Sequence, residues 1–435
     1  MAGPDVAEAY LESLLRTERV TGQELSAYQA KLLRALVKPT LGETPFYSGR
    51  AAPPDDLAPD SPYWLAQPFV TRKDLVENFD AFRPRSFARL HGAITPLSTG
   101  GSTGPAARRD MSSLESVARL LASYRMYHNW KLDQTRPLFI LRKTRREDEM
   151  RQERWGFPWR DEKSRGRRIW IDIATPACEQ LQAMAGQGPV YVNTLPSNIL
   201  RLSVEALRLD IRLSLPYIIS VGEYLAPEVR TAAARAFGST IIDSFASAEA
   251  GVIAIQCPET GLYHIQSEQV LAEIVSPQGQ LCAAGATGEV VVTPLYGYAT
   301  PLLRYRSGDY VEAGPPCACG RILPTISRIA GRLEHMFDLA DGARQLPRIN
   351  RVLITEALGL DQWVLAQLRK PKSCSATLAR WVAPPRTRSW RTCTKPWEMA
   401  SAAPSPRSSD CRRHPAANGT SQRTRCPREG LNKAR

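Results

Sequence analysis

No apolar run in the 435-residue sequence approaches the roughly 20 residues that a membrane-spanning helix needs. The first residues also lack the basic and apolar regions of a secretory signal. Both absences argue against a membrane-spanning or secreted protein. The nine cysteines are therefore expected to be reduced thiols or metal ligands rather than disulfides. We expect a cytoplasmic protein that has no membrane partner.

Excess positive charge is scarce outside one end of the chain. The net charge is +14, and residues 371–435, with 11 Arg, 3 Lys and 3 acids, carry +11 of it. A strongly basic protein ordinarily raises nucleic acid as a partner. Because the charge is confined to this tail, no basic face is expected on the folded part, and nucleic acid is not an expected partner. Nucleic-acid binding through the tail alone is the alternative.

The tail also lacks Ile, Phe and Tyr, while it holds 8 Pro, 8 Ser and 4 Cys. Such a segment cannot bury enough apolar surface to offset the entropy of ordering the chain. One interpretation is a disordered basic tail that binds an anionic partner. The other is the translation of a shifted reading frame, because GC-rich DNA readily yields Arg, Pro, Ser, Cys and Trp. We favour the frame shift, since the break falls inside an expected folded domain, and the coding DNA decides between them.

Helix and strand patterns alternate along the rest of the chain. Helical spacing of apolar residues, or a helix-capping start, occurs at residues 5–38 (two helices), 71–74, 112–130 and 227–237. Apolar runs typical of buried strands occur at residues 137–141, 168–173, 216–221 and 240–245. This alternation predicts parallel crossovers and an α/β core. Ligands collect at the carboxyl ends of such strands, where Glu223 and residues 246–249 fall.

Residues 96–105 alternate glycine with small hydroxyl residues. Glycine lets backbone N–H groups approach an anion, and hydroxyls add donors that can turn toward phosphate oxygens. The run predicts a polyphosphate-binding loop, with a flexible linker as the alternative. It is not the common P-loop, because the Lys-Ser/Thr pair that ends that motif is absent. The candidate phosphate-binding residues are Thr99, Gly100, Gly101, Ser102, Thr103 and Gly104.

Cysteine spacing suggests a second kind of site. Cys257 and His264 lie close in the sequence, and Cys317 and Cys319 form a tight Cys-x-Cys pair. These residues could supply four tetrahedral ligands to a structural Zn²⁺. The spacing is not that of a standard zinc finger, and His264 equally suits an ordinary strand position.

Four separated segments resemble, in order and spacing, the motifs of one known superfamily: residues 99–104, 243–249, 303–309 and 331–334. This is the adenylate-forming superfamily of acyl-CoA ligases, adenylation domains and luciferases. Within it the chain looks most like the phenylacetate–CoA ligase branch, including relatives found in capsular polysaccharide clusters. Residues 191–197, Gly222–Glu223 and residues 288–293 add to the resemblance, which covers roughly residues 60–350.

The resemblance implies an α/β fold with two domains. Residues 1–330 would form a large N-terminal domain of stacked mixed sheets with flanking helices. Residues 331–370 would begin a small C-terminal α+β domain, which the tail of residues 371–435 leaves incomplete. The family's reaction joins a small-molecule carboxylic acid to ATP, giving an acyl-adenylate and pyrophosphate, usually followed by transfer to a thiol acceptor. That acceptor would be coenzyme A or a carrier protein.

The resemblance also implies roles for individual residues. Glu249 would help to hold Mg²⁺, and Arg332 would lie near the ribose and phosphate, so both are candidate catalytic residues. Besides the phosphate loop, the candidate cofactor-binding residues are Gly222, Glu223, Phe245 beside the adenine and Asp309 on the ribose hydroxyls. Glu334 would be the hinge about which the small domain rotates.

Three departures from the family predict a weakened activity. Pro105 stands where the family often has a lysine, and Arg108 or Arg109 would have to supply that charge. Ala246 and Ala248 stand where the family prefers Gly and Thr. No lysine after residue 331 matches the context of the family's catalytic lysine. We therefore expect ATP binding with slow or absent adenylation, and the alternative is a non-catalytic nucleotide-binding protein derived from such a ligase.

The pocket walls are expected near residues 191–197 and 217–223, where Tyr191 and Tyr217 suggest room for a flat or aromatic acid.

Overall fold

The structure, a computed structural model, describes residues 4–98, 107–144 and 153–332, together with five short strand segments beyond residue 336. Its α-helices are α1 (Pro4–Thr17), α2 (Gly22–Glu43), α3 (Pro62–Leu65), α4 (Arg72–Glu77), α5 (Ser113–Asn129), α6 (Ala177–Met184), α7 (Pro196–Arg208) and α8 (Pro227–Phe237). No helix in these ranges combines the length and the apolar character that crossing a bilayer requires.

The strands before residue 333 are β1 (Ile94–Ser98), β2 (Arg108–Ser112), β3 (Leu138–Arg142), β4 (Glu153–Arg154), β5 (Arg167–Asp172), β6 (Tyr191–Thr194), β7 (Tyr217–Ser220), β8 (Thr240–Ser247), β9 (Gly251–Gln256), β10 (Tyr263–Ile265), β11 (Val270–Val275), β12 (Thr287–Pro294), β13 (Tyr305–Ala313) and β14 (Thr325–Arg332). β1 and β2 form a two-stranded ladder, and the other strands form one 12-stranded mixed sheet.

Strand β8 joins the two halves of the large sheet. Its first half pairs in parallel with β7, in a series that continues through β6, β3 and β5. Its second half pairs antiparallel with β9 and leads through β10, β14 and β13 to β12 and β11. The expected α/β class, with a large mixed sheet and flanking helices, is confirmed, and β8 links the sheets into one hydrogen-bonded series.

Helices cover both faces of the parallel half, because its strands are apolar on both sides. In β3, Phe139 and Leu141 pack in one core cluster with residues of α6, α7 and α8. Leu138 and Ile140, which alternate with them, pack in a second cluster with residues of α1 and α5. With both faces covered, a ligand is expected at the carboxyl ends of these strands.

Most of the predicted elements are confirmed. The helix expected at residues 227–237 has those bounds, and α4 begins with a capping box between Thr71 and Asp74. A densely charged stretch, residues 143–167, follows β3. Trp155 is fully buried in this stretch, while residues 145–152 lie outside the described residues.

Beyond β14 the structure describes only short strands. Phe337–Asp338 pairs with Arg344–Gln345, and Val364–Gln367, Thr377–Val382 and Trp397–Met399 form a three-stranded antiparallel sheet. The last two strands fall within the predicted tail. The division at residues 330 and 370, and the origin of the tail, stay predictions.

Candidate active site

The candidate phosphate-binding residues 99–104 lie outside the described residues, but the structure describes both ends of their segment. Ser98, at the end of β1, is the ladder partner of Arg108, at the start of β2. Ala107 is fully buried in the core beneath this ladder. The glycine- and hydroxyl-rich segment therefore starts and ends at one point on the molecule.

Arg109 anchors that point to the turn after β8. Its side chain is fully buried, and its guanidinium donates to the carbonyl oxygen of Glu249 and pairs with the Glu115 carboxylate at 2.7 Å. The expectation that Arg109 supplies the missing phosphate charge is therefore wrong, because its donors face the protein interior. Arg108 is exposed and remains the candidate of the two.

A second arginine holds the same turn. Arg119 donates to the carbonyl oxygens of Ala248 and Glu249 at 3.1 and 3.0 Å, and shares the Glu115 carboxylate with Arg109. Burial, together with the positive charge of Arg109, lowers the pKa of Arg119. The neighbouring position 251 favours glycine, because its φ is +75° and a Cβ there would lie 2.9 Å from the Arg119 side chain. The Arg109–Glu115–Arg119 cluster thus fixes the backbone that presents Glu249.

The Glu249 carboxylate is only 6% exposed, and two donors face it. The Tyr305 hydroxyl donates to Oε1 at 3.3 Å, and a guanidinium nitrogen of Arg72 lies 3.7 Å from the same oxygen. Burial, with the negative charge of Glu249, raises the pKa of Tyr305, so this phenol stays a donor at neutral pH. A nearly dry carboxylate with a cationic neighbour suits a hard cation and an anionic ligand together.

Arg72 reaches Glu249 because the chain before α4 is bonded to β13. Val70 forms an isolated parallel β-bridge with Tyr305. The Val70 carbonyl oxygen accepts from the backbone N–H of Arg306 at 2.8 Å, and the Val70 N–H donates to the carbonyl oxygen of Arg304 at 3.0 Å. The sequence indicated the helix start at Thr71 but gave Arg72 no role. Tyr305 lies within a motif of the family resemblance and also had no role. Only the bridge between residues far apart in sequence reveals this pair.

Asp309 and Arg332 face each other across neighbouring strands. They are register partners on β13 and β14, and Arg332 Nε donates to Asp309 Oδ1 at 3.1 Å. Asp309 is 8% exposed, while the Arg332 side chain is over one-third exposed. Gly308, with φ of +76°, lies in a bulge beside Asp309. Arg332 is the last residue described before a gap, and Glu334 lies outside the described residues.

Strand β13 connects the two acids, Glu249 and Asp309. Asp309 is a buried residue of this strand, and so is Tyr305, which is hydrogen-bonded to Glu249. Four residues of a strand span about 13 Å, and the bulge shortens this span. Glu249, hydrogen-bonded to Tyr305, therefore lies beside the same strand that carries Asp309.

Other candidate residues have local structural partners. Phe245 is 7% exposed and belongs to the core cluster of the antiparallel half. Glu223 accepts from the backbone N–H and the hydroxyl of Ser197, at 2.9 and 3.0 Å, in the first turn of α7. Gly222 has φ of +80°, which favours glycine. Tyr191 is 2% exposed, so it is a core residue rather than an exposed pocket wall.

The four predicted metal ligands come together at another part of the sheet. One ligand atom from each of Cys257, His264, Cys317 and Cys319 lies within 4.8 Å of the others. Three of the side chains are buried, and Cys319 is partly buried.

Sequence comparison finds no relative: no model of a protein family matches the chain, and no curated protein does. Structural comparison, in contrast, finds similar proteins. A crystal structure of 2-hydroxyisobutyryl-CoA ligase in its post-adenylation state matches 84% of this chain and 80% of its own, with a TM-score of 0.64 and 18% identity. The chain has the fold of an acyl-CoA ligase.

The same ligase fold is matched in other states of that protein. Its complex with 2-HIB-AMP and CoA in the thioesterification state covers 84% of this chain and 80% of its own, with a TM-score of 0.61 and 17% identity. An open conformation with the same two molecules gives a TM-score of 0.62 and 18% identity, covering 79% of this chain and 82% of its own. At these identities the likeness establishes the ligase fold and not the residues of the site.

Proposed function

We propose that this protein binds ATP with Mg²⁺ and activates a carboxylic acid as an acyl-adenylate, for transfer to a thiol such as coenzyme A. One observation carries the proposal. Arg109 ties the base of the glycine- and hydroxyl-rich segment to the backbone of Glu249, and Tyr305 ties the Glu249 carboxylate to the strand that carries Asp309. The described ends of the candidate phosphate segment, the candidate metal-binding acid and the candidate ribose-binding acid thus belong to one connected region, which supports the proposal.

The residues around Glu249 fit a metal–phosphate complex. Mg²⁺ takes oxygen ligands and usually binds through one or two carboxylates plus substrate phosphates. Glu249 would be that carboxylate, and the partly exposed Arg72, which lies 3.7 Å from it, would add positive charge near the phosphates. A metal held by Glu249 would neutralise part of the negative charge of the phosphates. Backbone and hydroxyl donors of residues 99–104 would hold the β- and γ-phosphates, with the exposed Arg108 adding positive charge.

Asp309 would bind the ribose. An ionised carboxylate can accept from both ribose hydroxyls at once, and Arg332 fixes Asp309 Oδ1 in position for this contact. Phe245 would lie beside the adenine, while Gly222 and Glu223 would form the neighbouring rim after β7.

Substituting Asp309→Asn tests the ribose assignment. Because hydrogen bonds to charged groups contribute about 1.5–3 kcal/mol, we expect ATP affinity to fall about 10- to 100-fold, measured by calorimetric titration. Asp60→Asn, at an exposed turn, is the matched control and should leave the affinity unchanged. Equal ATP affinities for the two variants would show that Asp309 does not bind the ribose.

Adenylation by this chain is expected to be slow. The family's catalytic lysine has no counterpart here, and Lys370, Lys372, Lys395 and Lys433 lie outside the described residues. Typical enzymes turn over at about 1–1,000 per second. We expect pyrophosphate release below about one per second with any acid of a panel of hydroxy, aryl and fatty acids. Pyrophosphate release at an ordinary enzymatic rate would contradict this prediction and would indicate full ligase activity.

A second candidate, a non-catalytic nucleotide-binding protein, is favoured by Ala246, Ala248 and the missing lysine. Calorimetry and ATP–pyrophosphate exchange on one sample separate the two. ATP binding with acid-dependent exchange supports the ligase, whereas ATP binding without exchange for any acid supports the second candidate. The phenylacetate–CoA ligase branch remains our proposal for the subfamily, on the motifs of the sequence.

A further inference from the structure

We propose that Cys257, His264, Cys317 and Cys319 bind one structural zinc ion that locks the connection between β13 and β14 onto the β9–β10 hairpin. The cluster is separate from the candidate active site. Glu249 precedes β9 and Cys257 follows it, so this six-residue strand sets them roughly 20 Å apart. The inference does not depend on the proposed function.

The spacing of the ligand atoms fits a tetrahedral zinc centre. Zinc–sulfur bonds of about 2.3 Å put two sulfurs about 3.8 Å apart, and a sulfur and an imidazole nitrogen about 3.6 Å apart. Cys317 Sγ lies 3.9 Å from Cys257 Sγ, and Cys319 Sγ lies 3.4 Å from His264 Nε2. Both separations are those of tetrahedron edges.

The same distances do not fit a disulfide. A disulfide needs its sulfurs about 2.05 Å apart, roughly half the distance between Cys257 and Cys317, and all three cysteines are free thiols. A Cys₃His set also leaves no coordination position for water or substrate. This closed set is typical of structural rather than catalytic zinc.

Groups behind the ligands orient them as zinc sites require. His264 Nδ1 lies 3.5 Å from the Leu323 carbonyl oxygen, which favours the tautomer that leaves Nε2 free to bind the metal. The Thr260 hydroxyl lies 3.0 Å from Cys317 Sγ and can donate to its thiolate. Gly320, with φ of +75°, closes the tight turn that presents Cys317 and Cys319.

Charge around the cluster is also complementary. Three thiolates and a neutral imidazole around Zn²⁺ carry a net charge of −1. A guanidinium nitrogen of Arg321 lies 3.9 Å from Cys257 Sγ, and Arg19 donates to the carbonyl oxygen of Cys319 at 3.3 Å. Arg321 also pairs with Glu18, at the end of α1, at 3.0 Å. The ion would thus hold the β13–β14 connection beside the N-terminal helices.

Elemental analysis of the full chain, exchanged into metal-free buffer, tests the proposal directly. We expect about one zinc per chain. Cys319→Ser should lose the metal. Its zinc affinity should fall by more than the roughly 10- to 100-fold that follows removal of a group that only orients a ligand. The matched controls Cys178→Ser and Cys282→Ser, together with a variant in which Cys374, Cys393, Cys411 and Cys426 are all serine, should keep it.

Two measurements on the unmutated chain guard against variants that fail to fold. Cobalt exchanged for zinc should give the visible bands of a tetrahedral ion and near-ultraviolet charge transfer from thiolate. Removing the metal with a chelator should lower Tm by more than about 5 °C. Less than one-tenth of a zinc per chain, equal metal in Cys319→Ser and Cys282→Ser, or a metal-free Cys257–Cys317 disulfide by mass spectrometry would each overturn the proposal.

Discussion

Substituting Glu249→Gln is expected to lower ATP–pyrophosphate exchange about 100-fold or more, because a metal at the phosphates supplies several kcal/mol of charge stabilisation. The amide that replaces the carboxylate is neutral and binds Mg²⁺ poorly. Should the exchange of the unmutated chain be too slow to follow, the same effect is measured on binding. Mg²⁺ should strengthen ATP binding to the unmutated chain, and this gain should vanish in the variant.

The control for this change is Glu12→Gln, at an exposed position of α1. It removes the same charge without touching the candidate site, and both variants should keep the Tm of the unmutated chain within a few degrees. If Glu249→Gln binds ATP with the same Mg²⁺ dependence as Glu12→Gln, Glu249 does not hold the metal, and the proposed function loses its central residue.

Substituting Glu115→Gln is expected to have the largest effect on stability. Glu115 is 3% exposed and compensates two guanidinium groups, of which Arg109 is fully buried. Breaking a buried ion pair costs about 3–5 kcal/mol, because the remaining charge is left without a partner. The free energy of unfolding, from urea titration followed by fluorescence, should fall by that amount. ATP affinity should fall as well, because the turn that carries Glu249 loses its support.

Glu205→Gln provides the comparison at the surface. Glu205 pairs with Arg208 on α7, at 2.7 Å and with the arginine 63% exposed. Exposed pairs of this kind contribute about 0–1 kcal/mol. A cost for Glu115→Gln no larger than that for Glu205→Gln would show that the buried cluster does not hold the Glu249 turn.

Local sequence patterns predicted the helices and strands well where a few neighbouring residues set the backbone conformation. Thr71 and Asp74 predicted a capped helix start, and the apolar runs at residues 137–141 and 216–221 predicted buried strands, because side-chain capping and periodicity act over a few residues. The contacts of the candidate active site were harder to predict. Arg109 follows the glycine-rich run and has the charge that a phosphate needs, yet its donors turn inward to Glu115 and to a carbonyl 140 residues away.

The order of the residues alone specifies which chemical groups are available: small donors suited to phosphate, two acids in motif positions, and three cysteines with a histidine. Which of these groups meet depends on the folded chain. β13 links Asp309 to Tyr305 and so to Glu249, and Val70 carries Arg72 to the same carboxylate. The β9–β10 hairpin and the β13–β14 connection bring the four candidate metal ligands together. Strand pairing between distant segments sets these contacts. No short stretch of sequence encodes such pairing, because it depends on packing across the whole sheet.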